Sequence, residues 1–508
     1  MSELINIAEK PIKALLSNYK DAKYSSFTIS ISRNKEEEFS NGKRFSLKIP
    51  HLQLIGTLEV LRNNLLYSGS FSTGTSELNE SQLHRLIDGC NEDLHPIAIR
   101  IPEKSIFPEK SFIQKKIKKL SVPRELTEEL RNASDIKDAE YQVITGYGLN
   151  DLVSFSMNTN DIEVLRWQPQ FITSIKVEIA PEQSIQRFIG IIPRSNSDIR
   201  RIEELIKYTP DVTLESRIKN ARSFSELSSS LYEIAIKSKK NQIKIQNGLY
   251  DVITPFSTWA HEIIGHPFEE EVRIERITKE QPPYHETPLF KKGDKISENL
   301  SLADDPKIKV EGKRLIGGFD YDDEMFKSER KVLIQNGIVT GRTLGSKYSD
   351  GKEVGNARFQ EVGAIPIPRM SVTHVLPDKE GFKTLEEMCE ACENDTIVTF
   401  KNMAEVNSFS AHFIVGAGHN GYEMELSPET YLYKNGNLLP IKNIHLFSSG
   451  IYQLLGKIQL SNENMMVYEM GKCIKDNPGL WYGNDDVPSS QFTPMALIPF
   501  IQVRVFDR

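Results

Sequence analysis

Gly248-Leu249-Tyr250-Asp251-Val252-Ile253-Thr254-Pro255, running on through Phe256 to Glu271, decides how the chain is read. Leu249, Val252 and Ile253 make its first part a strand. Pro255 is suited to open a helix, because the first helical N–H has no partner to lose. From Phe256 to Glu271 only Gly265 and Pro267 interrupt, so a strand is expected to pass directly into a helix that carries His261, Glu262 and His266.

These three residue types belong together in zinc chemistry. Two neutral imidazoles leave coordination positions for a third protein ligand and a water, whose pKa then falls towards neutrality. A carboxylate beside the metal takes the proton, and Glu262 adjoins His261 as the glutamate of His-Glu-x-x-His adjoins its first ligand. Here the spacing is one residue longer. On an ideal helix, positions five apart point roughly 140° away from each other, so a regular α-helix would separate the two rings. A distortion is therefore expected near Ile264–His266, either a helix end between the histidines or a π-bulge that returns them to one face. Gly265 and Pro267 favour such irregularity.

Upstream, the chain alternates helices and strands. A helix is expected near Ile7–Tyr19, a half-buried strand at Phe27-Thr28-Ile29-Ser30-Ile31, and further strands at Arg44–Ile49 and Gln53–Val60. Helices follow at Glu80–Cys90, Asp198–Tyr208 and Ser223–Ser238. Downstream, strands and turns dominate. Val332–Val339 and Tyr431–Leu438 each place Asn-Gly between apolar flanks, the mark of a tight hairpin, and the alternation of Phe500–Phe506 is that of a strand closing a sheet. The fold class expected is α+β: a mixed N-terminal domain over 1–240, then a β-rich C-terminal domain over 241–508 that carries the zinc-site helix.

Composition narrows the function classes. The 508 residues have a formal charge of −7, which gives no general attraction to nucleic acid, so no direct nucleic-acid partner is expected. Glu3, Glu9 and Lys10 break up the N-terminus, and no long uncharged apolar run occurs, so neither signal peptide nor membrane span is expected and the chain reads as cytoplasmic. The Lys-rich stretch between Pro102 and Pro123 is read as a solvated helix face. Four cysteines are too few for a disulfide framework. Cys389 and Cys392 form a Cys-x-x-Cys, but Leu385, Met388 and Cys392 share a helix face, so core packing is expected. His285, His374, His412, His419 and His445 are assigned no ligand role. Gly416–Gly421 reads as a turn rather than a phosphate loop.

The segment around His261 resembles the TldD/PmbA family of metallopeptidases. The likeness runs in order through Asp251–Pro255, His261–His266, Glu269, Gly318–Glu324, the first Asn-Gly hairpin, Gly355–Arg358, Pro366–Met370, the second hairpin and Ser449-Gly450. In the first half it extends only to the helix-strand layout. The resemblance implies one zinc per chain held by His261, His266 and Cys473, with Glu262 as general base. Ile474 stands where the family often has Gly, and the stretch after it, Asn477–Asp486, is longer than the family pattern. It further implies unfolded or short peptides as substrate, including precursor peptides, and a homodimer or a heterodimer with a related member. Two other classes stay open: a non-catalytic peptide-binding subunit, and a modulator of a DNA-topology enzyme acting through protein contacts.

Overall fold

The computed structural model describes residues 2–508 except 64, 76–78, 101–106, 115–116, 138, 181–182, 209–220, 241, 256–258, 271–289, 348, 350–352, 359–365, 393–394, 400–421, 427–428, 442–443, 449–454, 468–488 and 506–508. It is α+β, with two large sheets among the described residues.

The main path of the first sheet runs Lys309–Val310, Lys313–Leu315, Gln183–Ile192, Gln170–Ala180, Gln142–Asn158, Tyr24–Ser40, Lys43–Arg62, Leu65–Thr75 and His95–Arg100. Period-two alternation explains its faces. Phe27, Ile29 and Ile31 are fully buried. Thr28 and Ser30 between them point the other way, onto the hydroxyls of Ser156 and Ser154 at 2.9 Å. The expected strands Arg44–Ile49 and Gln53–Val60 are one strand, Lys43–Arg62. A register shift opposite Asn34 and Glu36 falls where Pro50, which has no N–H to donate, would otherwise break the ladder.

Helices Ser2–Ser17, Glu80–Glu92, Arg124–Ala133 and Phe224–Lys240 bury their apolar stripes in one cluster with this sheet. Asn79 caps Glu80–Glu92 through a reciprocal bond pair with Gln82. Two expectations are corrected. Asp198–Tyr208 is a short helix, Asn196–Arg200, followed by a 3-10 turn, Ile202–Tyr208. The described part of the Lys-rich stretch is not helical: it holds a two-residue strand, Phe112–Ile113, and is otherwise irregular, and the helix begins only at Arg124, after Pro123 has set its entry angle.

The second sheet runs Ile338–Val339, Lys331–Gln335, Leu302–Asp304, Val372–Val375, Ser490–Val505, Gly248–Pro255, Thr396–Thr399, Thr430–Lys434 and Asn437–Pro440. Both Asn-Gly hairpins form, with positive φ at Asn336, Gly337, Asn435 and Gly436. Asn41-Gly42, absent from the expectations above, makes a third between Tyr24–Ser40 and Lys43–Arg62. Ser490–Val505 runs through the middle of the sheet instead of closing it, beside both Gly248–Pro255 and Val372–Val375. Pro499 is accommodated in a central strand because the ladder skips a residue there, between Tyr250 opposite Ile501 and Val252 opposite Ile498.

The first sheet draws strands from both halves of the chain. Lys309–Val310 and Lys313–Leu315 extend the first sheet from beyond residue 240. Buried ion pairs lock the junction. Lys347 Nζ meets Glu59 Oε2 at 2.6 Å. Arg166 Nη1 meets Asp323 Oδ1 at 2.9 Å and donates to the carbonyls of Tyr321 and Asp322. Burial among these groups pushes the Asp322 carboxyl up to about 6 and that of Glu324 well above the usual range. Among the described residues no helix is long and apolar enough to cross a membrane.

Candidate metal centre

Strand Gly248–Pro255 delivers the chain to the site. Val252 and Ile253 are fully buried, each worth about 1.5–3 kcal/mol relative to exposure, so the strand is firmly seated. Pro255 is still in the strand and does not start a helix. The helix that follows is a π-helix, Trp259–Gly265, succeeded by a 3-10 turn, His266–Phe268. The expected distortion is present over the whole turn rather than only at its end. Ala260, Ile264 and Phe268 are buried beneath it, and Phe268 stacks on Phe290.

The wide turn changes where the imidazoles stand. The His261 and His266 rings lie 4.9 Å apart between centroids, inclined at 71°. Each Nδ1 has a neighbour. His261 Nδ1 is 2.8 Å from Thr373 Oγ1, and His266 Nδ1 is 3.1 Å from Glu269 Oε1. The first is a hydrogen bond and the second an ion-pair distance. An Nδ1–H facing either neighbour would leave that ring's Nε2 lone pair on the other side, the arrangement by which metal-binding histidines are oriented. His261 is 2% exposed, so little solvent competes. This donor set fits a borderline metal such as zinc. Among the described residues no third His, Cys, Asp or Glu completes a metal-binding group. Cys473 lies outside the described residues, as does the side chain of Glu262, whose backbone belongs to the π-helix.

Gly265 matters for space, not for freedom of φ. Its dihedrals, −74° and −49°, are those of ordinary right-handed helix. A Cβ there would stand 2.0 Å from Met370 Sδ and 2.8 Å from the carbonyl oxygen of Ala260. Gly265→Ala is therefore expected to cost about 1–3 kcal/mol, as overpacking does, and to push the two rings apart. Urea unfolding reads the first effect. A variant as stable as the wild type would show that the contact with Met370 yields easily.

Thr373, Arg369 and Met370 were not singled out as functional in the sequence. Pro366–Met370 shares the family pattern, which pointed near them; nothing local distinguishes Thr373. Its neighbour His374 lies against Phe492, and burial, helped by Arg330, lowers its pKa to about 4, so it is neutral at pH 7. Cys389 packs with Leu385, Met388 and Ile253, while Cys392 is only half-buried, so the core face is set by Cys389. Burial pushes these thiols up to about 12 and about 11, away from thiolate chemistry. His445 lies in strand Ile444–Ser448, with its side chain outside the described residues. His285, His412, His419 and Gly416–Gly421 are also outside them.

Known proteins resemble the chain over this region and beyond. It is 27% identical over 231 residues to a metalloprotease TldD homolog of Buchnera aphidicola, covering 44% of this chain and 42% of that one. It is 26% identical over 221 residues to a metalloprotease of Archaeoglobus fulgidus, covering 43% and 45%. The chain thus spans under half the length of these curated relatives. The crystal structure of TldE from Thermococcus kodakarensis superposes with a TM-score of 0.64 at 15% identity, over 97% of this chain and 100% of that one, a likeness of fold. The model of the PmbA/TldA metallopeptidase C-terminal domain matches residues 250–504, half of the chain, beginning in the strand that leads to the π-helix. With that match and the shared two-sheet fold, the chain belongs to the TldD/PmbA family of metallopeptidases.

Proposed function

We propose that the chain is a zinc-dependent peptidase acting on unfolded or short peptides, precursor peptides among them. The observation that carries the reading is the π-turn, which brings two histidines five residues apart to within 4.9 Å. His261, His266 and Cys473 would hold one zinc. Bound there, zinc supplies a Lewis acid that polarises the scissile carbonyl and acidifies water. Glu262 accepts the proton of the attacking water and returns it to the leaving amine. His261 and His266, held through their Nδ1 atoms, keep their orientation while this happens. The working unit is proposed to be a cytoplasmic dimer, of two copies or with a related chain, and the peptide to lie as an added strand beside the site.

Metal analysis followed by incubation with an unfolded peptide mixture tests this. The wild type is expected to carry one zinc and to cleave; His266→Ala is expected to lose both. A zinc-loaded chain that leaves peptides intact, alone and with a related partner, would make it a peptide-binding subunit instead.

A further inference from the structure

Three contacts onto the π-turn and onto Glu269 just beyond it come from one short run of sequence. Thr373 Oγ1 meets His261 Nδ1 at 2.8 Å. The Met370 backbone N–H donates to Glu269 Oε1 at 2.8 Å, the same oxygen that lies 3.1 Å from His266 Nδ1. Arg369 Nη1 stands 3.6 Å from Glu269 Oε2. The Met370 thioether fills the space that Gly265 leaves open, and the Thr373 hydroxyl lies 3.6 Å from its sulfur.

The run is itself anchored. Ser371 donates its N–H and its hydroxyl to Asp304, at 2.7 Å and 2.9 Å, and Asn356 Nδ2 donates to the same carboxylate at 2.7 Å. Arg369 N–H donates to the Asn356 carbonyl at 2.9 Å. Thr373 and Arg369 are fully buried. The Glu269 side chain has no exposure. Burying a carboxylate and a guanidinium is costly unless their geometry is used. Here the carboxylate stands 3.1 Å from an imidazole nitrogen, His266 Nδ1. Glu269 addresses the Nδ1 edge of His266 rather than completing a ligand set with both rings.

We propose that Arg369–Thr373 is a positioning brace that selects the Nδ1–H tautomer of both imidazoles, Thr373 acting on His261 and the Arg369–Glu269 pair acting on His266, so that both Nε2 lone pairs are left available to a metal. The inference rests on the zinc reading above and names the residues that orient its ligands. They are positioning residues, since they act through the rings.

The test uses the full chain labelled with 15N-histidine, with and without zinc. In the metal-free wild type, ring 15N shifts are expected to report Nδ1–H at His261 and His266. Thr373→Val, which keeps the shape and removes the hydroxyl, is expected to shift His261 alone towards Nε2–H and to weaken zinc binding about 10–100-fold in chelator competition. Thr373→Ser should behave as the wild type. Glu269→Gln should move His266 alone. Tautomers unchanged in both variants, or wild-type rings protonated at Nε2, would overturn the brace. Because the tautomers are read without metal, a chain that bound no zinc would sink the zinc reading and still decide the brace.

Discussion

Glu262→Gln is expected to retain zinc and to slow peptide hydrolysis by about 10²–10⁴-fold, the contribution of a positioned general base. The amide is nearly isosteric with the carboxylate but cannot take a proton from water. Glu262 sits one residue from His261 on the π-helix and is not assigned as a ligand, so the metal should remain. This separates it from His266→Ala, which removes a ligand. The measurement is turnover of an unfolded peptide mixture beside zinc content for each variant. Full turnover in Glu262→Gln would remove the proposed base while leaving the metal assignment standing.

Arg187→Ala is expected to lower stability by about 3–5 kcal/mol, the cost of leaving one charge of a buried pair without its partner. Arg187 lies on strand Gln183–Ile192 of the first sheet and makes two bonds to Glu429, at 3.0 Å and 2.5 Å. Glu429 immediately precedes strand Thr430–Lys434 of the second sheet. Both side chains are about 5% exposed, so water does not replace what is lost. Replacing both residues by apolar ones of similar volume should cost much less than either single change, because it removes the desolvated charges along with their attraction. Urea unfolding of the two single variants and the double variant reads this. Equal losses in all three would show that the site needs charge rather than a filled volume.

Much of the local structure was legible because its causes are local. Val332–Val339 and Tyr431–Leu438 were readable as hairpins because Asn-Gly tolerates positive φ whatever surrounds it. Asn41-Gly42 carries the same mark and went unread between two strands that were themselves recognised. The helix near Ile7–Tyr19 was readable from its stripe, now seen as Ile5, Ala8, Ile12, Leu15 and Leu16 against the first sheet. The Lys-rich stretch misled, because charge patterning describes a solvated surface equally well with or without a helix.

Pairing partners were not legible. Alternation in Phe500–Val505 identifies a strand but not its neighbours, and its two prolines, Pro494 and Pro499, point to an edge. Only the bulged registers with Gly248–Pro255 and Gln459–Val467 make a central place acceptable. Likewise nothing near Lys309–Leu315 announces that these residues leave their own half to extend the first sheet.

At the candidate site the same division holds. The sequence by itself determined the residue types, His261, Glu262 and His266, and the requirement that five-residue spacing imposes: no regular α-helix could bring both rings together. It also marked Gly265 as special, though for its permissiveness. Tertiary structure decided that a full π-turn meets the requirement and that Gly265 is needed to admit Met370. It also decided that Thr373, on strand Val372–Val375, meets His261 Nδ1. The reason is physical. Helical geometry follows from a repeat that any short segment contains, whereas the atoms that orient an imidazole arrive from a strand more than a hundred residues away, and only packing of the whole chain brings them there.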